Sequence, residues 1–453
     1  MTDLWFEQAL LPDGWARDVR IRVAHGRIAA VLPGSAPEPG DERHAVALPG
    51  QHNVHSHAFQ RAMAGLTERR GQTADSFWTW RDLMYRFAHA LDPETMQAVA
   101  ELAFVEMLEA GYTRCGEFHY VHHAPGGKAH ADPAAMARAI AQAAAATGIG
   151  LTLLPVFYAA AGFGGQPPSD PQRRFVSSVD GFARLLDATE TATAGLPDAV
   201  VGIAPHSLRA APPAMLAAVT ALRPAAPIHI HVAEQVKEVE DCIAWSGRRP
   251  VQWLLDEAGI DERWCLIHAT HVTPQEIDGI VASGATVGLC PITEANLGDG
   301  IFPAAAFVAA GGRFGIGTDS NVSIDVAGEL RLLEYGQRLV RRERNVLAQP
   351  GASTGRTLFD HSLRGGVQAL GVAGAGICPG ASADLVSLAP GHPAIGGREG
   401  DAVLDGWIFA AGAAAIDCVW RRGAAVVRQG RHVARDAVLA RYRPALHRLM
   451  GGE

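Results

Sequence analysis

The sequence predicts an α/β protein, a (β/α)8 TIM-type barrel with a small composite β-sandwich domain formed by both termini. Two observations support this fold class. Residues 49–379 alternate short apolar runs, typical of buried strands, with helical patterns, which indicates parallel βα units. Residues 1–48 and 380–453 instead carry short strands and turns, with too little apolar surface at either end for a separate core. Pairing the two ends into one domain would solve that problem.

Eight strand-like runs account for the barrel. Each run is short, and eight parallel βα units close into a barrel of this class. In chain order the runs are Asn53–His55, Thr113–Phe118, Leu151–Phe157, Val200–Pro205, Ile228–Val232, Trp264–His268, Ala285–Cys290 and Arg313–Thr318.

Helical patterns lie between these runs, and several begin with proline or with an acidic residue, as helices commonly do. Examples are Asp75–Leu91, Pro93–Ala110, Pro133–Thr147, Pro212–Leu222, Gln252–Glu257, Pro274–Ala282 and Val326–Arg341. The two ends are predicted to contribute the short strands Leu4–Leu10, Asp18–Val23, Gly26–Val31, Asp384–Leu388, Ile416–Arg421 and Ala424–Arg428.

Composition limits the classes of function. The chain of 453 residues has a formal net charge of −8 and no basic stripe, which argues against nucleic-acid binding. No apolar run is long enough to cross a bilayer, and the first residues do not resemble a secretory signal. The six cysteines are scattered without CxxC pairs, which favours buried thiols in a reducing compartment, so we expect a cytoplasmic protein.

Lone polar residues stand at the ends of the strand-like runs. His55 and His57 end the first run, His231 the fifth, His268 the sixth and Asp319 the eighth. The carboxyl ends of parallel barrel strands meet at one rim, so these side chains should converge. Three imidazoles and one carboxylate are a ligand set that zinc accepts while leaving room for water. We therefore expect His55, His57, His231 and Asp319 to bind one divalent ion, by default Zn2+, although Fe2+ or Mn2+ could occupy the same site.

Other interpretations remain open at this point. The histidine pair could be hydrogen-bonded core residues, Asp319 could cap a helix, and His268 could be a fifth ligand or could stabilise developing charge. Glu234 lies three residues beyond His231 and is expected to take a proton from the attacking water and deliver it to the leaving group. Its alternative is a solvated residue in the first turn of a helix.

The pattern resembles the amidohydrolase superfamily over nearly the whole chain. Two-metal members carry a carboxylated lysine on strand four, but the run 201–206 contains no lysine. The chain therefore resembles the one-metal deaminase branch. That resemblance implies the four metal ligands given above, Glu234 as the proton shuttle, and His268 with Asp319 as catalytic residues that orient the water.

Longer strings resemble the formimidoylglutamate deiminase family within that branch. They are HSHAFQRAM at 55–63, DSFWTWR at 75–81, EFHYVHH at 117–123, HSLR at 206–209 and TEANLGDG at 293–300. The resemblance implies hydrolysis of N-formimidoyl-L-glutamate to N-formyl-L-glutamate and ammonia in histidine degradation, by a homodimer. One departure is Gln51-His52, where more apolar or small residues are expected.

A small dicarboxylate substrate needs cationic groups or strong hydrogen-bond donors, and arginine pairs carboxylates through two parallel bonds. The candidates near the predicted rim are Gln60, Arg81, Tyr120, His206 and Arg209. For Arg81 the alternative is a charge on a helix surface. Two other functions stay open from these residues: deamination of a guanine-type or adenosine-type substrate, or a catalytically silent barrel.

Overall fold

The computed structural model describes residues 2–70, 77–374 and 376–451. The predicted fold class is confirmed, because a parallel barrel is joined to a second sheet that both ends of the chain build. The first two residues of the helix predicted at 75–91, Asp75 and Ser76, lie outside the described residues.

The described residues form two sheets, and all eight predicted barrel runs are strands. In chain order the strands are β1 (Thr2–Leu11), β2 (Gly14–Ala24), β3 (Arg27–Leu32), β4 (Glu42–Pro49), β5 (Gln51–Ser56), β6 (Tyr112–His119), β7 (Gly150–Phe157), β8 (Val200–Val201), β9 (Ala204–Pro205), β10 (Ile228–Val232), β11 (Trp264–His268), β12 (Thr286–Leu289), β13 (Arg313–Ile316), β14 (Leu385–Leu388), β15 (Ile416–Arg421), β16 (Ala424–Arg428) and β17 (Arg431–His432).

The barrel strands run parallel in the order β10-β11-β12-β13-β5-β6-β7-β8, and β9 also pairs with β7. The run predicted at 200–205 is thus one barrel position split into β8 and β9. A bridge between Ile203 and Ile228 joins this position to β10 and closes the barrel. Gly202 lies between the two short strands. A Cβ at this position would lie 2.8 Å from the Pro227 carbonyl oxygen. Only glycine permits so close an approach.

Helices pack around the barrel strands and against one another. They are α1 (Phe77–Ala90), α2 (Pro93–Glu109), α3 (Ala135–Thr147), α4 (Val179–Thr193), α5 (Pro213–Thr220), α6 (Val236–Ser246), α7 (Pro250–Glu257), α8 (Pro274–Ser283), α9 (Pro291–Leu297), α10 (Ala304–Ala309), α11 (Val326–Arg341), α12 (Thr354–Ala369), α13 (Asp401–Gly406) and α14 (Arg435–Leu449). The final helix α14 was not predicted; it packs against α2, which is buried on most sides for that reason.

The C-terminus of α12 closes the end of the barrel opposite the rim. The Ala369 carbonyl oxygen lies 2.7 Å from Nε2 of His229, and the Leu370 carbonyl accepts a bond from the Thr152 hydroxyl at 3.0 Å. The last carbonyls of a helix have no partner within the helix. Buried side chains of the barrel supply those partners here. His52 also lies near this helix, against Gly366, and does not line the cavity at the opposite rim.

The terminal sheet has the strand order β17-β16-β15-β14-β4-β1-β2-β3. Strand β4 pairs with β1 in parallel and with β14 in antiparallel fashion, so it links the strands of the two chain ends. A bridge between Arg27 and Ser382 brings the β3 edge back toward β14. The curled sheet encloses an apolar core that includes Phe6, Ile21 and Trp420.

Buried ion pairs connect this sheet to the barrel. The Arg421 guanidinium on β15 lies 2.6 Å from an Asp384 carboxylate oxygen and 2.7 Å from one of Asp198. Asp198 also pairs with Arg114 of β6 at 3.0 Å. Both arginine side chains are only 4% exposed, so each buried charge depends on the other partners for compensation.

Two expectations from composition can be compared with the structure. Among residues 2–70, 77–374 and 376–451, no helix combines the length and apolar character needed to cross a membrane. The six cysteines are free thiols, and five of them are buried, as predicted.

Replacing Arg421 with methionine should lower the free energy of unfolding by about 3 kcal/mol, because two carboxylates lose their shared buried partner. The matched control Arg17→Met removes a pair with Glu399 whose side chains are 67% and 66% exposed, and should lower the free energy of unfolding far less. Urea denaturation followed by circular dichroism measures both losses. Equal losses would contradict a stabilising role for the buried network.

Candidate active site

A cavity of about 590 Å³ opens at the carboxyl ends of the barrel strands. Every residue predicted for the site lies in its wall except His55, which is fully buried beneath it. The predicted residues in the wall are His57, Gln60, Arg81, Tyr120, His206, Arg209, His231, Glu234, His268 and Asp319. The parallel barrel thus brings together side chains that are far apart in the sequence.

Four side chains converge on one point of the cavity. The Nε2 atoms of His55 and His231 are 3.0 Å apart. The Oδ1 atom of Asp319 lies 3.4 Å from Nε2 of His55 and 3.4 Å from Nε2 of His57. Donor atoms bound to one zinc ion at about 2.0–2.1 Å are separated by distances of this size.

In His57 and His231, the ring nitrogen that points away from the cavity makes a hydrogen bond, and this bond determines which nitrogen carries the proton. Nδ1 of His57 lies 2.9 Å from the Phe118 carbonyl oxygen, and Nδ1 of His231 lies 3.0 Å from that of His206. A carbonyl oxygen only accepts, so the proton is on Nδ1 and the Nε2 lone pair faces the cavity. Converging lone pairs and a carboxylate repel one another unless a cation lies between them. The donor set therefore fits a divalent metal.

Burial keeps the donors in the protonation states that metal binding requires. It lowers the pKa of His55 to about 3 and that of His231 well below its ordinary value, so both rings are neutral. Burial alone would raise the pKa of Asp319, but the hydrogen bond with His55 and the charge of His268 hold it below its usual range. The carboxylate is therefore ionised.

Backbone hydrogen bonds between the ends of β5 and β13 align these donors. The His55 carbonyl accepts bonds from the backbone amides of Thr318 at 3.0 Å and Asp319 at 2.9 Å, and the His57 amide donates to the Asp319 carbonyl at 2.9 Å. The backbone of Asp319 has a φ of 45°, a left-handed conformation that residues other than glycine rarely adopt. Asp319 does not cap a helix, because α11 begins at Val326 and is capped by Asp325.

Glu234 and His268 lie beside the donors. Glu234 is 4% exposed, and its Oε1 atom lies 3.8 Å from Nε2 of His268, which is also 3.8 Å from Oδ2 of Asp319. Burial raises the pKa of Glu234 to about 7, against the opposing charge of His268. This geometry does not fit the alternative of a solvated glutamate.

Glu294 also belongs to the site, although sequence reasoning assigned it no role. Its Oε1 atom lies 3.2 Å from Nδ1 of His268 and accepts a bond from the Cys290 amide at 2.9 Å. Burial would lower the pKa of His268, but Glu234, Glu294 and Asp319 together raise it to about 10. Glu294 belongs to the string at 293–300, which directly follows the seventh strand. Its position at the rim of the barrel was the feature of the sequence that could have indicated a role in the site.

A second part of the cavity is rich in arginine and phenol groups. Arg81 on α1 is half-buried, with its guanidinium carbon 5.6 Å from the centre of the Tyr85 ring, so it is not a solvated helix charge. Nε2 of Gln172 donates to the hydroxyls of Tyr158 at 2.6 Å and Tyr85 at 3.3 Å. Arg209 is half-buried in the same cavity wall. The two tyrosines and Gln172 were not predicted, because nothing in their local sequence marks them.

Three predicted residues connect this part of the cavity to the metal donors. The centre of the His206 ring lies 4.9 Å from the ring centres of both His231 and Tyr158. Gln60 donates from Nε2 to the Tyr120 hydroxyl at 2.9 Å. Within the described part of the chain, the buried Oε1 atom of Gln60 has no hydrogen-bond partner. It can accept a bond from a bound ligand.

Comparison with known proteins agrees with this geometry. Residues 46–426 match the model of the amidohydrolase family, and residues 1–45 match that of the N-terminal domain of formimidoylglutamate deiminase HutF. The formimidoylglutamate deiminase of Pseudomonas aeruginosa is 50% identical over 439 residues, which is 96% of this chain and 97% of that protein.

Solved structures show the same architecture. An amidohydrolase from Brucella melitensis is 54% identical and superposes with a TM-score of 0.97, covering 99% of this chain and 100% of its own. An adenosine deaminase from Xanthomonas campestris with bound zinc shares the fold at 23% identity and a TM-score of 0.82, covering 99% and 98% of the two chains. The protein therefore belongs to the amidohydrolase family, in its formimidoylglutamate deiminase branch.

Proposed function

We propose that this chain is a zinc-dependent deiminase that hydrolyses N-formimidoyl-L-glutamate to N-formyl-L-glutamate and ammonia, a step of histidine degradation. The observation that carries this proposal is the shared cavity. The donors His57, His231 and Asp319 line one part of it together with Glu234, and the guanidinium groups of Arg81 and Arg209 line another. A substrate with an amidine group and two carboxylates matches those two parts.

The metal would be held by His55, His57, His231 and Asp319, whose donor atoms and protonation states fit a divalent ion. When bound, such an ion activates water as a Lewis acid, lowering the pKa of the water from about 16 to roughly 7. Zinc is our choice of ion because this mixed imidazole and carboxylate set suits it.

Glu234 moves the proton in this mechanism. Its Oε1 atom accepts a proton from the attacking water and delivers it to the terminal nitrogen of the amidine. The proton of the added hydroxyl then follows by the same carboxylate as the formyl C=O bond forms, so that the nitrogen leaves as ammonia when the C–N bond breaks. A pKa of about 7 suits a group that must both accept and donate a proton. His268, kept charged by Glu234, Glu294 and Asp319, stabilises the negative charge that develops as the water adds.

The other part of the cavity orients the substrate. Arg81 and Arg209 would pair with the two carboxylates, while Tyr120 and His206 donate further hydrogen bonds. Gln60 is held by Tyr120, and its unpaired Oε1 atom can accept a bond from the amidine N–H. Fixing both carboxylates places the amidine carbon next to the metal donors and Glu234.

Ammonia release tests the proposal directly. The purified protein, loaded with zinc, is incubated with N-formimidoyl-L-glutamate, guanine or adenosine in parallel. We expect ammonia and N-formyl-L-glutamate from the first substrate only. Release from a purine alone would select the alternative deaminase, and no release from any substrate would favour a silent barrel.

Three further properties stay predictions. They are a cytoplasmic location, a homodimeric state, and the division of the chain into a barrel at 49–379 and a small domain from 1–48 and 380–453. Analytical ultracentrifugation at several concentrations tests the second of them.

Replacing Glu234 with alanine should leave zinc bound and lower kcat by about 10²- to 10⁴-fold, because the proton shuttle is lost. Zinc content by mass spectrometry and turnover by the ammonia assay measure the two effects. The comparison variant His57→Ala should lose zinc as well as activity. Zinc loss in the Glu234 variant would identify that residue as a ligand instead.

Replacing Arg209 with methionine should raise KM about ten- to a hundredfold and change kcat less, because a charge-assisted bond to a carboxylate is removed. The control Arg248→Met changes an arginine that pairs with Glu257 outside the cavity and should leave both constants unchanged. Steady-state kinetics give KM and kcat for both variants and for the wild type. An unaltered KM in the Arg209 variant would rule out its pairing with the substrate.

Replacing Glu294 with glutamine should lower kcat about ten- to a hundredfold with little change in KM, because the charge that holds His268 is lost. Glu329→Gln is a matched control: its buried carboxylate accepts a bond from the Ile292 amide at 2.9 Å without contacting His268. The control should keep its kcat. A rise in KM alone, or loss of metal, would contradict a positioning role for Glu294.

A further inference from the structure

A second cluster of metal-binding side chains lies in the terminal sheet, outside the catalytic cavity. A ring nitrogen of His44 on β4 and the carboxylate and thiol of Asp417 and Cys418 on β15 lie within 4.8 Å of one another. These three residues are not part of the cavity wall. They join a strand from the beginning of the chain to a strand from its end.

An irregularity in β15 allows two adjacent residues to point to the same place. Successive side chains of a regular strand point to opposite faces. Here Ser387 of β14 pairs with Cys418, but Leu388 pairs with Ile416, so Asp417 is skipped in the strand pairing, and its Oδ2 atom accepts a bond from the Ser387 hydroxyl at 3.4 Å. An extra residue of this kind re-aims its side chain. Asp417 and Cys418 can therefore both approach His44.

The arrangement around His44 is typical of a metal-bound histidine. Its Nδ1 atom lies 3.3 Å from Oδ2 of Asp417, close to the separation of about 3.3 Å for two ligands on a tetrahedral zinc ion. Its Nε2 atom lies 3.2 Å from Oε1 of Glu42, which accepts a bond from Arg428 at 2.7 Å. Metal-ligating histidines commonly donate their other N–H to a carboxylate that is itself held in place.

The three side chains of this cluster are largely buried, but one side of it is exposed to solvent. The side chain of His44 is 9% exposed and that of Asp417 is 24% exposed, while Cys418 is buried. The Trp420 ring packs edge-on against the His44 ring, with centres 4.7 Å apart. Three protein ligands with one side open to water is an arrangement that zinc accepts. In the alternative without a metal, His44 pairs with the two carboxylates and the Cys418 thiol bonds to Asp417; only a metal would require Cys418 as a thiolate ligand.

We propose that His44, Asp417 and Cys418 form a second binding site for zinc, separate from the catalytic metal, that fastens β4 to β15. A thiolate ligand favours zinc over harder divalent ions such as magnesium or calcium. The proposal does not depend on the deiminase activity, since these residues lie outside the cavity.

The test compares the zinc content of full-length wild-type protein with that of Cys418→Ser and His44→Gln. Each protein is stripped with a chelator, reloaded with zinc, and dialysed before metal analysis. The wild type should retain one more zinc per chain than either variant. The control Cys378→Ser changes a partly exposed thiol that is not part of this cluster, and should match the wild type.

Cobalt supplies an independent reading of the sulfur ligand. Wild-type protein and the Cys378 variant loaded with Co2+ should show thiolate-to-cobalt charge-transfer absorption, which the Cys418 variant should lack. Using two different ligand variants guards against a folding defect in one of them. Equal zinc contents in the wild type and both ligand variants, or wild-type cobalt protein without the thiolate band, would overturn the proposal.

Discussion

The backbone hydrogen bonds between the end of β5 and the end of β13 are the interaction on which the rest of the site depends. The first and last barrel strands meet there, so closing the barrel sets His55, His57 and Asp319 against one another. Asn321 adds bonds from its side-chain amide to the carbonyls of His57 and Asp319, both at 3.1 Å. The positive φ values of Asp319 and Asn321 are tolerated because this network fixes the backbone. The fold therefore brings these donors together through backbone hydrogen bonds.

The partner of Nδ1 decides what each buried histidine can do. His57 and His231 face backbone carbonyls, which accept a proton but add no charge, and burial lowers the pKa of both rings. They are therefore neutral, as the metal ligands proposed here must be. His268 is just as buried but faces the Glu294 carboxylate, and with Glu234 nearby its pKa rises to about 10. Equal burial thus gives opposite charge states, and the difference separates the residues proposed to hold the metal from the residue proposed to stabilise charge.

Much of the fold and of the candidate metal site could be predicted from the sequence. The spacing of apolar residues indicates the strands and helices, and the position of a residue at a strand end indicates which side chains meet. All eight strand runs are found, and a parallel barrel puts residues such as His231 and Asp319 on one rim whatever lies between them. Gln172 and Glu294 could not be assigned roles, since these depend on which side chain each one meets in three dimensions. The helix α14 was also missed, because its place is set by packing against α2 rather than by a strong pattern of its own.

Chemistry and recognition come from different kinds of structural element. The metal donors sit on or directly after barrel strands, where neighbouring strands restrain them on both sides. Arg81 comes from a helix, Gln60 from the short 3-10 helix Ala58–Met63, and Arg209 from the loop after β9. Substitutions in those segments can change which substrate is held without moving the donors. The same barrel can therefore serve deaminases of other substrates, and the arginine-lined part of the cavity, rather than the fold, is the reason to assign a dicarboxylate here.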